Sequence, residues 1–218
     1  MQPSQWEVIV LKPTAVFLSF LASQLPKVNL PDFKLLQTNN TAYVIRNQAN
    51  DEETLNEIER HFPAMFRHEI SRWLGQDARN EIEGSFLDFL CCFKFELHSH
   101  IVLLESDFRE GQQLLRIKPR SVLLKWIKSA VQDDSELISV LEKVNLADLA
   151  ENATVIVKKF GDLSEIKSFL RQYYPIIYEA EMLRMCERGD HWPYVDSYES
   201  FCRYFAVDIH AQLINLYS

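Results

Sequence analysis

The scarcity of glycine is the feature that most narrows what this chain can fold into. Only five glycines occur among 218 residues, whereas average composition would supply about 15. Phosphate-binding loops built from backbone amides need clustered glycines, and here they stand singly, at Gly75, Gly84, Gly111, Gly161 and Gly189. We therefore expect no Rossmann or P-loop nucleotide site, and we predict that the glycines separate helices.

Composition and cysteine usage indicate a folded protein of a reducing compartment. Hydrophobic residues make up 47% of the chain and charged residues 25%, so the chain can bury a core of ordinary size. The four cysteines include the adjacent pair Cys91 and Cys92 and form no C-x-x-C motif. We therefore expect buried, reduced thiols rather than a disulfide framework or a zinc ribbon.

The first residues argue against export and direct membrane insertion. Residues 1–6 contain no basic side chain, and the apolar run of residues 8–25 is interrupted by Lys12 and Pro13. Its uninterrupted part is shorter than the roughly 20 residues that a membrane span requires. We expect a cytoplasmic protein, with peripheral attachment to the inner membrane through partners left open. An atypical export signal at residues 15–22 is the alternative.

Charge is unevenly distributed along the chain. The net charge of −8 argues against binding to nucleic acid, and residues 51–59 and 133–142 are rich in acids. Residues 109–128 are instead predominantly basic. They contain one acid, Glu110, and six basic residues: Arg109, Arg116, Lys118, Arg120, Lys125 and Lys128. Such a segment is either a solvated helix face and loop or a basic patch that docks an acidic protein partner.

Hydrophobic periodicity and capping motifs predict the order β-α-β-β-α in the first third of the chain. The predicted elements are a strand at 7–11, a helix at 14–25, a hairpin of strands at 33–37 and 42–46, and a helix from 51 that Pro63 kinks or restarts before Gly75. Asn39 and Asn40 suit the turn of the hairpin.

The later residues are predicted mainly as helices. Residues 86–97 follow the capping residue Ser85 and favour a helix, although residues 93–97 also alternate like a strand. The remaining predictions are a connection at 109–118, helices at 119–131, 137–144, 163–173, 175–189 and 198–207, and strands at 154–160 and 209–217.

These elements predict a single α+β domain over residues 1–218. A small, mostly antiparallel sheet forms from the N-terminal β-α-β-β-α unit, residues 1–75, together with later strands, and many helices cover it. The remainder, residues 76–218, is expected to be helical and to pack against this unit, and no repeat of 20–50 residues occurs. The order suits a split β-α-β sheet interrupted by a helical insertion.

No catalytic motif stands in the sequence, so we expect neither an enzyme nor a cofactor. Glu96, His98 and His100 would share one face of a strand and could then hold a metal, but on the favoured helix they diverge. We therefore predict ordinary polar histidines, with metal binding by His98 and His100 as the alternative. The rival function is a small hydrolase or transferase whose site combines scattered residues such as His98, His100 and Cys186.

Aromatic residues are numerous enough to supply a binding surface. The chain holds 4 Trp, 8 Tyr and 14 Phe, more large side chains than a core of this size needs. The turn at residues 190–193, Asp-His-Trp-Pro, is either a binding loop or a packed corner. Together with the basic segment, this region supplies the predicted partner-binding residues: Arg116, Lys118, Arg120, Lys125, Lys128, Trp192 and Tyr194.

Three segments carry a resemblance to a known family: residues 6–13, WEVIVLKP; residues 66–75, FRHEISRWLG; and residues 86–96, FLDFLCCFKFE. In these the chain resembles the small cytoplasmic accessory proteins of the Dot/Icm type IVB secretion coupling complex of Legionella-like bacteria. The resemblance implies a non-enzymatic subunit that docks on the coupling ATPase together with adaptor chaperones, and it transfers no catalytic residues.

From the residues and the resemblance together we expect a non-enzymatic adaptor or structural subunit of a bacterial multiprotein assembly. The coupling complex of a type IV secretion system, which recruits effector proteins, is one such assembly. The expected partners are other protein subunits. No nucleic acid is expected among them, and the sequence leaves the oligomeric state open.

Overall fold

The structure, a computed structural model, describes residues 5–24, 32–75, 84–130, 135–185 and 192–217. The helices are α1 (Ala15–Gln24), α2 (Phe33–Thr38), α3 (Asp51–Leu74), α4 (Phe86–Cys92), α5 (Ser121–Ala130), α6 (Ser135–Lys143), α7 (Leu146–Ala150), α8 (Leu163–Met185) and α9 (Tyr198–Tyr204). The strands are β1 (Trp6–Pro13), β2 (Thr41–Arg46), β3 (Phe93–His98), β4 (Ile101–Leu103), β5 (Gln113–Pro119), β6 (Val155–Lys158), β7 (Phe205–His210) and β8 (Gln212–Asn215).

The described strands form two four-stranded sheets. Their orders are β3-β1-β2-β8 and β4-β6-β5-β7. Neighbouring strands are antiparallel except for β2 with β8 and β4 with β6, which are parallel. The predicted α+β class with mostly antiparallel pairing is confirmed. The strands are divided between two sheets, so the split β-α-β order expected for one sheet is wrong.

The two sheets pack face to face and carry helices on their outer faces. Alternate residues of each strand point to opposite faces, so in β1 Ile9 and Leu11 pack under α1, α3 and α4. In β5, Leu115 and Ile117 pack in the same way under α5, α8 and α9. The core between the sheets is formed by Val8, Val10, Ala42, Val44, Leu114, Val155, Val157 and Leu213. The result is a four-layer α-β-β-α arrangement.

The capping residues predicted from the sequence do begin and end helices. The Asn50 side chain accepts a hydrogen bond from the Glu53 backbone N–H at the start of α3, and Gly75 ends this helix with a φ of 89°, which disfavours any residue with a β-carbon. Ser85 and Asp88 form the predicted capping box of α4. Pro63 lies inside α3, which continues through it. Gly189 lies outside the described residues.

Three segments differ from their predicted structure. Residues 33–37, predicted as a strand, lie in α2, which Asp32 caps by accepting a hydrogen bond from the Lys34 backbone N–H. The helix predicted at 86–97 ends at Cys92, because the chain from Phe93 onward pairs with β1 as β3. Residues 113–118, predicted as part of a connection, belong to β5, which pairs with both β6 and β7.

A helix passes directly into a strand a second time near the end of the chain. The helix predicted at 198–207 ends at Tyr204, and Phe205 begins β7, because residues 205–210 pair with β5. The strand predicted at 209–217 is divided between β7 and β8. The remainder after residue 75, expected to be helical, therefore contributes β3 to β8.

The two halves of the chain share one order of elements, apart from α2 in the first half and α6 and α7 in the second. β1, α1, β2, α3, α4, β3 and β4 correspond to β5, α5, β6, α8, α9, β7 and β8. The sheets follow this correspondence, since the order β3-β1-β2 recurs as β7-β5-β6. The fourth strand is exchanged: β8 pairs with β2, and β4 pairs with β6. The fold is an internal duplication in which each half completes the sheet of the other.

Residue identities support the duplication. Lys12-Pro13 at the end of β1 recurs as Lys118-Pro119 at the end of β5. From residue 50 the match needs no gap, and at one constant spacing identical residues recur as the pairs Glu53/Glu165, Pro63/Pro175, Glu69/Glu181, Arg72/Arg184, Ser85/Ser197, Phe89/Phe201, Phe93/Phe205 and His98/His210. Because the repeat spans about half the chain, it lies outside the periods of 20–50 residues typical of solenoid proteins.

Candidate functional site

The two halves differ where a central strand faces its long proline-containing helix. In the first half, Tyr43 of β2 is fully buried. Its hydroxyl donates a 2.8 Å hydrogen bond to Glu69 Oε1 and lies 2.9 Å from His68 Nδ1. Burial raises the pKa of Glu69, but hydrogen bonds and the Arg72 guanidinium outweigh it and hold that pKa below its usual value. The Tyr43 ring and the ionised Glu69 carboxylate therefore fill the space between β2 and α3.

The second half carries smaller side chains at the equivalent positions. The strand register places Ile156 of β6 where β2 has Tyr43, and the constant spacing places Ala180 of α8 where α3 has His68. A groove of about 390 Å³ lies open here between the β4–β6 edge of the sheet and α8. Its apolar lining includes Val102, Leu104, Ile156, Phe169, Tyr173 and Ile176.

The exposed side of the groove is apolar. Ile176 is 65% exposed and Leu104 is 47% exposed. Isolated exposed apolar side chains are common on protein surfaces, but here they converge on one concave site, which is the pattern expected of an interaction surface. We call this site, between β4 and α8, the apolar groove.

The charged side chain in the lining of the apolar groove is that of Lys158, and its Nζ lies 3.6 Å from Glu165 Oε1. Glu181, the equivalent of Glu69, is fully buried. Its Oε2 accepts a 2.9 Å hydrogen bond from the Thr154 backbone N–H, and its Oε1 accepts a 2.6 Å bond from Arg184 Nη2. Both carboxylate oxygens of Glu181 are thus engaged within the protein, and because the lining is mainly apolar the groove suits an apolar side chain.

The structure divides the predicted basic surface. Arg116 is buried between the sheets, because β5 turns its side chain toward the inter-sheet face, where its guanidinium bridges Glu96 and Asp208. The expectation that Arg116 contacts a partner at the surface is therefore corrected. The other basic residues predicted for partner binding are exposed: Lys118, Arg120, Lys125 and Lys128. Partner binding by these four stays a prediction.

The aromatic turn near residue 192 forms a packed corner with one outward side chain. Trp192 packs edge-on against Tyr178, with ring centroids 6.1 Å apart, and the Tyr178 hydroxyl donates a hydrogen bond to the Pro193 carbonyl. Tyr194 is 82% exposed. Residues 190 and 191 lie outside the described part of the chain, and partner binding by Trp192 and Tyr194 stays a prediction.

The residues proposed as metal ligands are not brought together at one site. Glu96 and His98 do share one face of β3, but Glu96 pairs with Lys12 and Arg116. The ring of His98 donates a 2.9 Å hydrogen bond from Nδ1 to the Ala153 carbonyl, and His100 follows the end of the strand. Within the described ranges, no group of three His, Cys, Asp or Glu side chains is placed to hold a metal ion.

The cysteines divide between surface and interior. Cys91 is exposed, so its predicted burial is wrong, whereas Cys92 is buried. Burial raises the pKa of the Cys92 thiol to about 11, which keeps it protonated and weakly nucleophilic at neutral pH. Cys186, named in the rival enzyme site, lies outside the described residues.

Sequence reasoning did not find the apolar groove. Its lining residues lie on β4, β6 and α8, and no local motif connects them. The available signal was the pairing of the two halves, because aligning Pro63 with Pro175 shows a histidine of one half replaced by Ala180 in the other. None of the helices in the described ranges is long and apolar enough to cross a membrane.

Comparison with known protein families, curated proteins and solved structures finds no match.

Proposed function

We propose that this protein is a non-enzymatic adaptor or structural subunit that holds an aromatic side chain of a partner protein in the apolar groove. The observation that carries the proposal is the difference between the halves. The first half fills the position with its own Tyr43 and His68, and the second half, with Ile156 and Ala180, leaves it open. A side chain from outside can therefore take the place that Tyr43 takes in the first half.

An aromatic occupant fits the energetics of such a site. A tyrosine or phenylalanine buries roughly 150–250 Å² of surface, and aromatic anchors in desolvated pockets dominate the binding energy of many interfaces. Phe169 and Tyr173 are already paired on the groove wall, with ring centroids 4.9 Å apart, and they offer ring edges and faces to a third ring. Lys158 is the charged residue of the lining, and its Nζ already lies 3.6 Å from Glu165 Oε1, so an apolar occupant would not bury it without a partner.

The wider biological setting of the proposal rests on the resemblance alone. The segments at residues 6–13, 66–75 and 86–96 resemble accessory subunits of a type IVB secretion coupling complex. On that basis the assembly is a bacterial coupling complex that recruits effector proteins. The groove proposal does not depend on this setting, since it requires only a partner protein with an exposed aromatic segment.

The groove can be tested with two matched substitutions on α8. Ile176→Asp places a charge in the groove, whereas Leu163→Asp changes a side chain of nearly equal exposure, 62% against 65%, outside the groove lining. In affinity purification from the native host, we expect one partner to co-purify stoichiometrically with the unchanged protein and with Leu163→Asp. Ile176→Asp should weaken its binding by about 30-fold, which corresponds to roughly 2 kcal/mol.

Photo-crosslinking identifies the contact directly. A photoreactive phenylalanine analogue in place of Tyr173 should crosslink to an aromatic-containing segment of that same partner. Equal recovery of the partner with Ile176→Asp and Leu163→Asp would contradict the groove as the binding site. Recovery of the unchanged protein alone, without a stable partner, would contradict the adaptor function itself.

A further inference from the structure

A second pocket, separate from the apolar groove, opens beside the ends of β1, β5 and β7. Its volume is about 370 Å³, a size that suits a small molecule. The charged and imidazole side chains of the pocket are Lys12, Arg116, Lys118, Asp208 and His210. A wall of neutral polar residues, Gln37, Thr38 and Asn40, completes it. We call this site the inter-sheet pocket.

The duplication brings two lysines to the inter-sheet pocket. Lys12 and Lys118 occupy equivalent positions in the repeated Lys-Pro sequence at the ends of β1 and β5. Both side chains retain access to solvent, at 34% and 49% exposure. The two strands lie in different sheets, so packing one sheet on the other places both ammonium groups at the same pocket.

Positive charge exceeds negative charge in this cluster. Arg116 bridges Glu96 and Asp208, Lys12 also pairs with Glu96, and Lys118 Nζ lies 3.7 Å from Asp208. Three cations thus share two carboxylates. Burial lowers the pKa of Lys12 to about 8, and the neighbouring charges of Arg116 and Lys118 contribute to that shift. A single added negative charge would balance the cluster.

Buried donors in the cluster lack acceptors. His210 is 4% exposed and Arg116 is 3% exposed. Among the described residues, no hydrogen-bond partner is found for either ring nitrogen of His210 or for the Nε of Arg116. A neutral imidazole carries one N–H donor, and burying a donor without an acceptor is unfavourable. Such groups are rare in native structures, and an ordered water, an ion or a ligand can satisfy them.

We infer that the inter-sheet pocket binds a small polar anion, whose carboxylate or phosphate group lies between Lys12 and Lys118. The anionic group neutralises the surplus charge, and hydroxyl or amide groups of the ligand face Gln37, Thr38 and Asn40. This site takes a small molecule rather than a protein, and it is independent of the apolar groove and of the adaptor function.

Calorimetric titration with two probes tests the inference. Inorganic phosphate and sodium malate are titrated separately at constant ionic strength, with sodium chloride as the reference. We expect saturable binding of at least one probe, which distinguishes a phosphate-bearing from a carboxylate-bearing ligand. Lys118→Met, which removes an exposed side chain and should leave the fold intact, is expected to weaken binding at least 10-fold, and so is Lys12→Met.

A matched lysine controls for net charge. Lys125→Met removes the same charge from an exposed position outside the pocket lining, and it should leave binding unchanged. Bound anion should also raise the pKa of the Lys12 ammonium group, measured by NMR after ¹³C-methylation of the lysines. The inference is overturned if neither probe binds saturably above the chloride reference, or if Lys125→Met weakens binding as much as Lys118→Met.

Discussion

Lowering the pH from 7 to 5 is expected to reduce the free energy of unfolding by about 4 kcal/mol, through His98 and His210. Both are buried, at 1% and 4% exposure. Burial lowers the pKa of each to about 4, from an ordinary value of 6.5. Nearby cations add to this effect: Lys12 and Arg184 act on His98, and Arg116 and Lys12 act on His210, against the opposing charge of Asp208.

The direction of the pH effect follows from proton binding in the two states. Between pH 6.5 and pH 4 the unfolded chain binds protons at these histidines and the folded chain does not, so stability falls as pH falls. The destabilisation is absent well above pH 6.5 and grows as the pH falls through this window. The loss levels off near pH 4, where each histidine has removed roughly 3 kcal/mol.

Urea unfolding at pH 7.5 and pH 5.0 measures the effect. The double variant His98→Gln with His210→Gln should lose most of the difference between the two pH values, since glutamine does not titrate. His100→Gln, at an exposed position, should retain most of it. If the double variant and the unchanged protein lose the same stability on acidification, other groups are responsible.

Replacing Arg116 by methionine is expected to cost about 2–3 kcal/mol of folding free energy, because the hydrogen bonds of its guanidinium to two carboxylates are lost. The side chain is buried and bridges Glu96 of one sheet and Asp208 of the other. Without it, each carboxylate retains one lysine, Lys12 or Lys118, together with some contact with solvent, at 29% exposure for Glu96 and 37% for Asp208. An apolar side chain fits the backbone here, because the equivalent position of β1 carries Val10.

Thermal and urea unfolding of a small set of variants distinguishes a loss of stability caused by unpaired charge from one caused by poorer packing. If the loss comes from unpaired carboxylates, then adding Glu96→Gln and Asp208→Asn to Arg116→Met should recover most of it. Lys125→Met should change stability by less than about 0.5 kcal/mol, as is usual for surface sites. An Arg116→Met variant as stable as the unchanged protein would show that the bridge does not contribute to folding.

Local chemistry made several elements predictable. The β-branched run of β1, the capping residues Asn50 and Ser85, and the glycine that ends α3 all act through neighbours a few residues away. A short-range pattern was ambiguous at residues 93–98, where aromatic spacing suits a helix and alternation suits a strand. Pairing with β1 over six residues decided it, and no local signal contains that partner.

The apolar groove and the inter-sheet pocket depend on contacts between distant residues. Arg116 appeared as one member of an exposed basic segment, because charge along the chain does not show which side of a strand faces the core. The groove exists because Ile156 is smaller than Tyr43, the residue at the equivalent position of the other half. This difference can be recognised only when the two halves are compared. The duplication relates these two positions, and its period is half the chain.

The sequence by itself determined the α+β class and most helix ends, because both follow from composition or from interactions within a few residues. The tertiary structure alone decided the division into two sheets, the exchange of β4 and β8, and the burial of Arg116. These depend on strand pairing and on sheet packing between residues that are far apart in the chain. The free energy that favours these features comes from the burial of strand and sheet surfaces that come into contact only when the chain folds.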